Sequence, residues 1–254
     1  MMWRPVCMAG LVLFLCVPGM IASADAQEMP SAGEIAALMK ASLLSDGFQL
    51  RMRITASDPD GPHALKIAVI GQFEANRARL ALRVISPENM RNQSVAAQYR
   101  TGALPSAASN GEPANAGDMV VDPYARLFGT QLVPADMFAI WWDWPQQSLG
   151  ESMRIGERDC TVVHSRAGAL PGPVREVDSC VDIKGKVSLR MQIFGVGHKL
   201  LRTIVVEKTM HKEHGSLAAR RLTISAEGGA VSTAEVYDGD EHYRPSVENF
   251  SVFN

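Results

Sequence analysis

The segments FQLRMRITAS (48–57), HALKIAVIGQF (63–73) and RARLALRVIS (77–86) each alternate apolar and polar residues with a period of two. Phe48, Leu50, Met52 and Ile54 fall on one face of the first, with Gln49, Arg51 and Arg53 on the other. Leu65, Ile67, Val69 and Phe73 share a face of the second, and Leu80, Leu82 and Val84 a face of the third. A strand sends successive side chains to opposite sides, so this pattern predicts three strands, each with one buried face. Pro59-Asp60-Gly61 and Glu74-Ala75-Asn76 supply the turns between them, which makes the unit an antiparallel meander. Arg51, Arg53, Arg77, Arg79 and Arg83 read as a solvated outer surface.

Upstream the period changes to that of a helix. Ile35, Leu38, Met39 and Leu43 form one apolar stripe. Ser31 and Glu34 have capping-box spacing, and Asp46-Gly47 is the expected stop, with Gly47 left-handed. Downstream, Gln93–Tyr99 and Asp118–Val121 read as strands around residues 102–117, a Gly- and Pro-rich stretch expected to be a mobile loop. Pro123–Phe128 is expected to form one helical turn. A second helix is expected from Pro134 through ADMFAIWW, ending before Pro145. Further strands are predicted near 151–155, 159–165, 174–182, 187–194, 198–208, 216–227 and 230–237. The sum is a mainly β (α+β) chain, a curved antiparallel sheet with helices on one face.

Residues 1–26 have the parts of an export signal: Arg4, the apolar run VCMAGLVLFLCV (6–17), a Pro18-Gly19 break and the small-x-small site Ala24-Asp25-Ala26. The apolar run is shorter than the ~20 residues a membrane span needs. Leu13, Phe14 and Leu15 before Cys16 do not fit a lipidation site. The expected organisation is a cleaved signal, 1–26, followed by one domain over 27–254. A formal net charge of −2 gives no indication of the strongly basic face a nucleic-acid binder needs, so no nucleic-acid partner is expected. Cys160 and Cys180 lie beyond the signal, and two thiols in an exported chain are expected to pair. Two buried thiols or a metal site are the alternatives, the latter without His or acidic partners at ligand spacing.

The sequence has no G-x-S-x-G, H-E-x-x-H or C-x-x-C motif and no phosphate-cradling glycine loop. His211-Lys212-Glu213-His214 reads as a solvated hairpin turn. Asp178, Cys180 and Asp182 share a strand face and read as surface carboxylates flanking a cysteine. Phe138, Trp141, Trp142 and Trp144 concentrate aromatic side chains within seven positions of a chain that is 6% aromatic. Phe138, Trp141 and Trp142 would share one helical face, serving either as core or as the wall of an apolar cavity.

In order and spacing, several of these segments resemble the LolA-like lipoprotein-sorting family. The resemblance runs from Ile35 to Phe253 through the amphipathic helix, LRMRITASDPDG, RVISPENM, RLFGTQLVPADMFAIWWDW, GERDC with TVVHSR, and VREVDSCVD. Arg91-Asn92-Gln93 and Val181 depart from the family's usual residues. The resemblance implies an unclosed antiparallel β-barrel with helices over its concave face. It also implies a periplasmic, non-enzymatic carrier, without cofactor or metal, that holds lipid or the acyl chains of lipoproteins for transfer toward the outer membrane. Donor and acceptor proteins at the two membranes would be its partners, and a lipid or lipoprotein sensor of the same fold is the alternative use. The expected cavity and lid residues are Ile35, Leu38, Met39, Leu43, Met52, Ile54, Ile67, Val69, Leu80, Leu82, Met137, Phe138, Trp141 and Trp142.

Overall fold

A computed structural model describes residues 29–58, 61–91, 93–110, 119–212, 215–246 and 248–250. The segment expected to be an export signal, Pro59-Asp60 and His214 lie outside the described residues. The chain opens with helix α1 (Ala32–Leu43), capped as expected: the Glu34 backbone N–H donates to Ser31 Oγ, and the Ser31 N–H donates to the Glu34 carboxylate at 2.8 Å. Strands β1 (Ser45–Asp58), β2 (Gly61–Phe73), β3 (Arg77–Ser86), β4 (Ser94–Arg100), β5 (Ser106–Asn110) and β6 (Met119–Val121) follow as an antiparallel meander. After the short helix α2 (Pro134–Met137), a second meander comprises β7 (Gln146–Ile155), β8 (Arg158–Arg166), β9 (Glu176–Asp182), β10 (Val187–Phe194), β11 (Leu200–His211), β12 (Leu217–Ala226) and β13 (Val231–Asp240).

β1 pairs with β13, Met52 opposite Val236 and Ile54 opposite Ala234. That pairing joins the meanders into one 13-stranded sheet that ends at β6 on one side and β7 on the other. The sheet is not closed. Its inner face carries the predicted alternation: Ile54, Leu65, Ile67, Val69, Leu80, Leu82 and Val84 are all buried, and the intervening Arg51, Arg53 and Arg83 are exposed. Ile35, Ala36 and Met39 of α1 join the same core. Among the described residues no helix is long and apolar enough to cross a membrane.

Four local expectations are corrected. Gly47 does not stop α1: the helix ends at Leu43, and Gly47 sits within β1. There the chain at Tyr243–Pro245 passes so close that a Cβ would stand 2.4 Å from the Tyr243 carbonyl oxygen. Part of the predicted 102–117 loop is β5, in which Ala107 pairs with Ala97 of β4 and both are buried. Small side chains concealed this strand, because its ladder rests on backbone hydrogen bonds. Pro123–Phe128 forms turns without a helix. The helix expected over 134–142 breaks after one turn: Ala139 is left-handed at φ 48°, and Ile140–Asp143 continue as a 3-10 turn.

β8 and β9 illustrate what alternation achieves. Val163, Val177 and Val181 face the main core, while Cys160, Val162 and Cys180 form a second apolar cluster on the opposite face with Val187, Leu189 and Leu217. Cys160 and Cys180 are joined by a disulfide, their Cα atoms 5.3 Å apart. Asp178, Cys180 and Asp182 share that outer face, Asp182 holding Arg158 at 2.8 Å and the Gly185 N–H at 2.9 Å. The crosslink spans a separation of 20 residues. Replacing both cysteines with alanine is therefore expected to lower the unfolding free energy by about 3 kcal/mol. Urea denaturation would read this as a lower midpoint with a somewhat steeper slope, because the unfolded chain without the crosslink exposes more surface.

Candidate functional site: an apolar cavity under two short covers

An inner face that is apolar and belongs to an unclosed sheet must be covered. Two segments do this. α1 packs against β7, β8 and the 3-10 turn. The segment from Leu132 to Trp144 brings Leu132, Val133, Ala135, Phe138, Ile140, Trp141, Trp142 and Trp144 into burial. Between these covers and strands β10–β12 lies a cavity of about 280 Å³. That is close to the lower edge of the ~300–1,000 Å³ typical of small-molecule sites. Met39 and Leu43 of α1, Met137, Trp141 and Trp142 of the second cover, and Met191, Ile204, Val206, Leu222 and Ile224 of the sheet line it. Its polar lining is Ser42, Asp136, Lys186, Ser188 and Lys212.

Five of the fourteen expected cavity residues are therefore brought to it: Met39, Leu43, Met137, Trp141 and Trp142. Ile35, Met52, Ile54, Ile67, Val69, Leu80 and Leu82 are packed in the core instead. Leu38 is half-buried on the flank of α1 and lines neither opening. Phe138 is turned away from Trp141 by the left-handed Ala139 and packs against Phe73 and Tyr99, with ring centroids 6.2 and 6.1 Å away. There it lines a cleft of about 30 Å³ that Leu43 and Trp142 separate from the main cavity. The cavity wall thus comes from the second meander. Sequence reading passed over Ile204, Val206, Leu222 and Ile224, although the alternation in β11 and β12 carried the signal.

Polar groups tether both covers. Lys40 of α1 forms an ion pair with Asp143 of the 3-10 turn, and the Tyr99 hydroxyl donates to the other Asp143 oxygen at 3.0 Å. Burial, followed by the Asp143 charge, pushes the Tyr99 phenol well above its ordinary range. Gln147 donates to the carbonyls of Trp141 and Trp144 at 2.9 and 3.0 Å, satisfying the end of the turn, and accepts from Ser165 at 2.7 Å. Asp136, in the first turn of α2, is held by both Nε and a terminal nitrogen of Arg202 from β11. Both side chains are only 10% exposed. Burial raises the Asp136 carboxyl, and the Arg202 charge and hydrogen bonds oppose that rise.

No protein-family model matches the sequence, and no curated protein sequence matches it. Solved structures do match the fold. An outer-membrane lipoprotein-sorting protein domain from Vibrio parahaemolyticus superposes with a TM-score of 0.78 at 10% identity, over 86% of this chain and 95% of that one. A DUF1329 family protein from Desulfovibrio piger gives the same values: 0.78, 10%, 86% and 95%. The chain has the LolA-like fold. A LolA superfamily protein from Nitrosomonas europaea matches at 0.69 and 16% identity, over 87% of this chain and 98% of that one. At these identities the likeness concerns architecture, and this LolA-like chain's cavity stands on its own lining residues.

The Asp136–Arg202 pair gives a direct test of how the second cover is held. Arg202→Met leaves a buried carboxylate unpaired and is expected to cost about 3–5 kcal/mol at neutral pH. Without the arginine the folded-state pKa of Asp136 rises further above its unfolded value. The folded protein then keeps a proton that the unfolded chain has lost. Stability falls as pH rises through that window, so the deficit shrinks toward pH ~4. Asp136→Leu combined with Arg202→Met is expected to recover most of the loss, as measured by chemical denaturation across pH.

Proposed function

We propose that the protein is a periplasmic carrier that shelters acyl chains, of a lipoprotein or of another lipid, in the cavity beneath α1 and the Leu132–Trp144 segment. The observation that carries this reading is the cavity itself: an apolar space left unfilled between a curved, unclosed sheet and two short covers. Each methylene transferred from water to such a surface gains about 0.8 kcal/mol. A chain crossing an aqueous compartment needs that shelter and no chemical step, so the proposed role is non-catalytic. Residues 1–26 would direct export and be removed, leaving 27–254 as a single carrier domain. Delivery would need a donor at the inner membrane and an acceptor at the outer one.

Met39, Met137 and Met191 suit the wall of a site for flexible chains, since an unbranched thioether adapts to irregular contacts. Native mass spectrometry of protein purified from a periplasmic extract is expected to show bound lipid. A fluorescent fatty-acid probe should bind saturably. Ala218→Phe, which fills the cavity from β12, should weaken the probe at least ~10-fold while leaving the circular dichroism unchanged. Absence of both lipid and probe binding in the wild type would remove the carrier reading. A single stoichiometric protein partner with no lipid transfer between vesicles would favour a sensor of the same fold.

A further inference from the structure

The cavity leaves unexplained a cluster on the opposite, outer face of β8 and β9. His164 and Asp178 are cross-strand partners, with Nδ1 of the imidazole 2.6 Å from Oδ1 of the carboxylate. Glu176 lies two residues before Asp178 on the same face. One of its oxygens is 3.2 Å from Nδ1 of His198, and the other is 3.5 Å from the Arg166 guanidinium. One donor atom each from His164, Glu176 and Asp178 lie within 4.8 Å of one another, and all three residues are half-buried.

The imidazole is held in orientation. Gly150 of β7 faces its far edge, where a Cβ would stand 2.4 Å from Nε2. The ring therefore lies against bare backbone on the Nε2 side and presents Nδ1 to Asp178. His198 is also fixed: its ring stacks on Phe194 with centroids 4.2 Å apart and planes 8° from parallel. Two carboxylates at alternate positions of one strand repel each other, and a divalent cation between them converts that repulsion into attraction. Oxygen-only sites suit calcium and magnesium, whereas one imidazole nitrogen with two carboxylate oxygens suits zinc or a similar first-row divalent ion.

We propose that His164, Glu176 and Asp178 form a binding site for a zinc-type divalent cation on the outer face of the sheet. His198 acts as a positioning residue that holds Glu176. Three protein ligands leave at least one coordination position for water. The ion would bridge β8 and β9 on the same face as the Cys160–Cys180 disulfide.

The test is calorimetric titration of tag-free, metal-stripped protein with ZnCl2 at neutral pH. One ion per chain is expected for the wild type and for His211→Ala, which removes the histidine at the end of β11, outside the cluster. His164→Ala and Asp178→Asn should each weaken binding by more than ~10-fold, and His198→Ala by about 10-fold through the orientation of Glu176. Asp178→Asn keeps the side chain's shape, so its loss of zinc would not report misfolding. Zinc should raise the melting temperature of the wild type and leave that of His164→Ala unchanged. The proposal is overturned if saturable one-to-one binding is absent or survives His164→Ala and Asp178→Asn. It is equally overturned if calcium binds as tightly as zinc, because the imidazole would then contribute nothing.

Discussion

The pairing of β1 with β13 is the constraint on which the rest of this structure depends. β1 is fourteen residues long and is bonded along both edges, to β2 on one side and β13 on the other. Gln49 meets Asp240 across that second edge, so strands near the two ends of the described chain become neighbours. Without this ladder the two meanders would be separate sheets with no common inner face. α1 ends one residue before β1 begins, so the register of β1 also sets where the helix lies over that face. A one-residue slip would turn Met52 and Ile54 outward and bring Arg51 and Arg53 into the core. Burial of the alternate residues enforces the register.

Much of the sheet was legible because alternation is a local property. The strands at 48–57, 63–73 and 77–86, and most of the second meander, announce themselves by period alone. β5 does not, since Ala107 and Ala108 bury little and carry no hydrophobic signal; its neighbours supply the partner. The second cover was misread for the opposite reason. Val133 to Trp144 is apolar on nearly every side, and periodicity cannot reveal a break in a segment buried all round. The left-handed Ala139 divides it and sends Phe138 and Trp141 to different places. β1–β3 fill their share of the inner face with their own side chains, and the unfilled space falls over β10–β12.

The covers are short and divided, and polar pairs fix their positions in addition to their buried apolar side chains. Lys40, Asp143 and Tyr99 tie α1 to the 3-10 turn and to β4. Asp136 and Arg202 tie α2 to β11. Such pairs are directional and break as units, unlike an apolar contact, which weakens gradually with distance. A cover held this way has a defined position on the sheet.

Alternation also divides the side chains of β8 and β9 between two faces of the sheet. On β8 and β9 the odd-numbered Val163, Val177 and Val181 face the core shared with the covers. The even-numbered Cys160, His164, Glu176, Asp178 and Cys180 face outward. Near the β7 edge the sheet has no neighbour beyond one strand, and its ladder there is interrupted between Leu149 and Ser152. Bonds made on the outer face restrain β8 against β9 where the sheet's own hydrogen bonding is running out. The disulfide supplies one such restraint, and the His164–Asp178 pair supplies a second at the other end of the same two strands. On the inner face of this edge Ser165 is fully buried and bonded to Gln147 of β7, while the charged partners of β8 and β9 stay on the outer face.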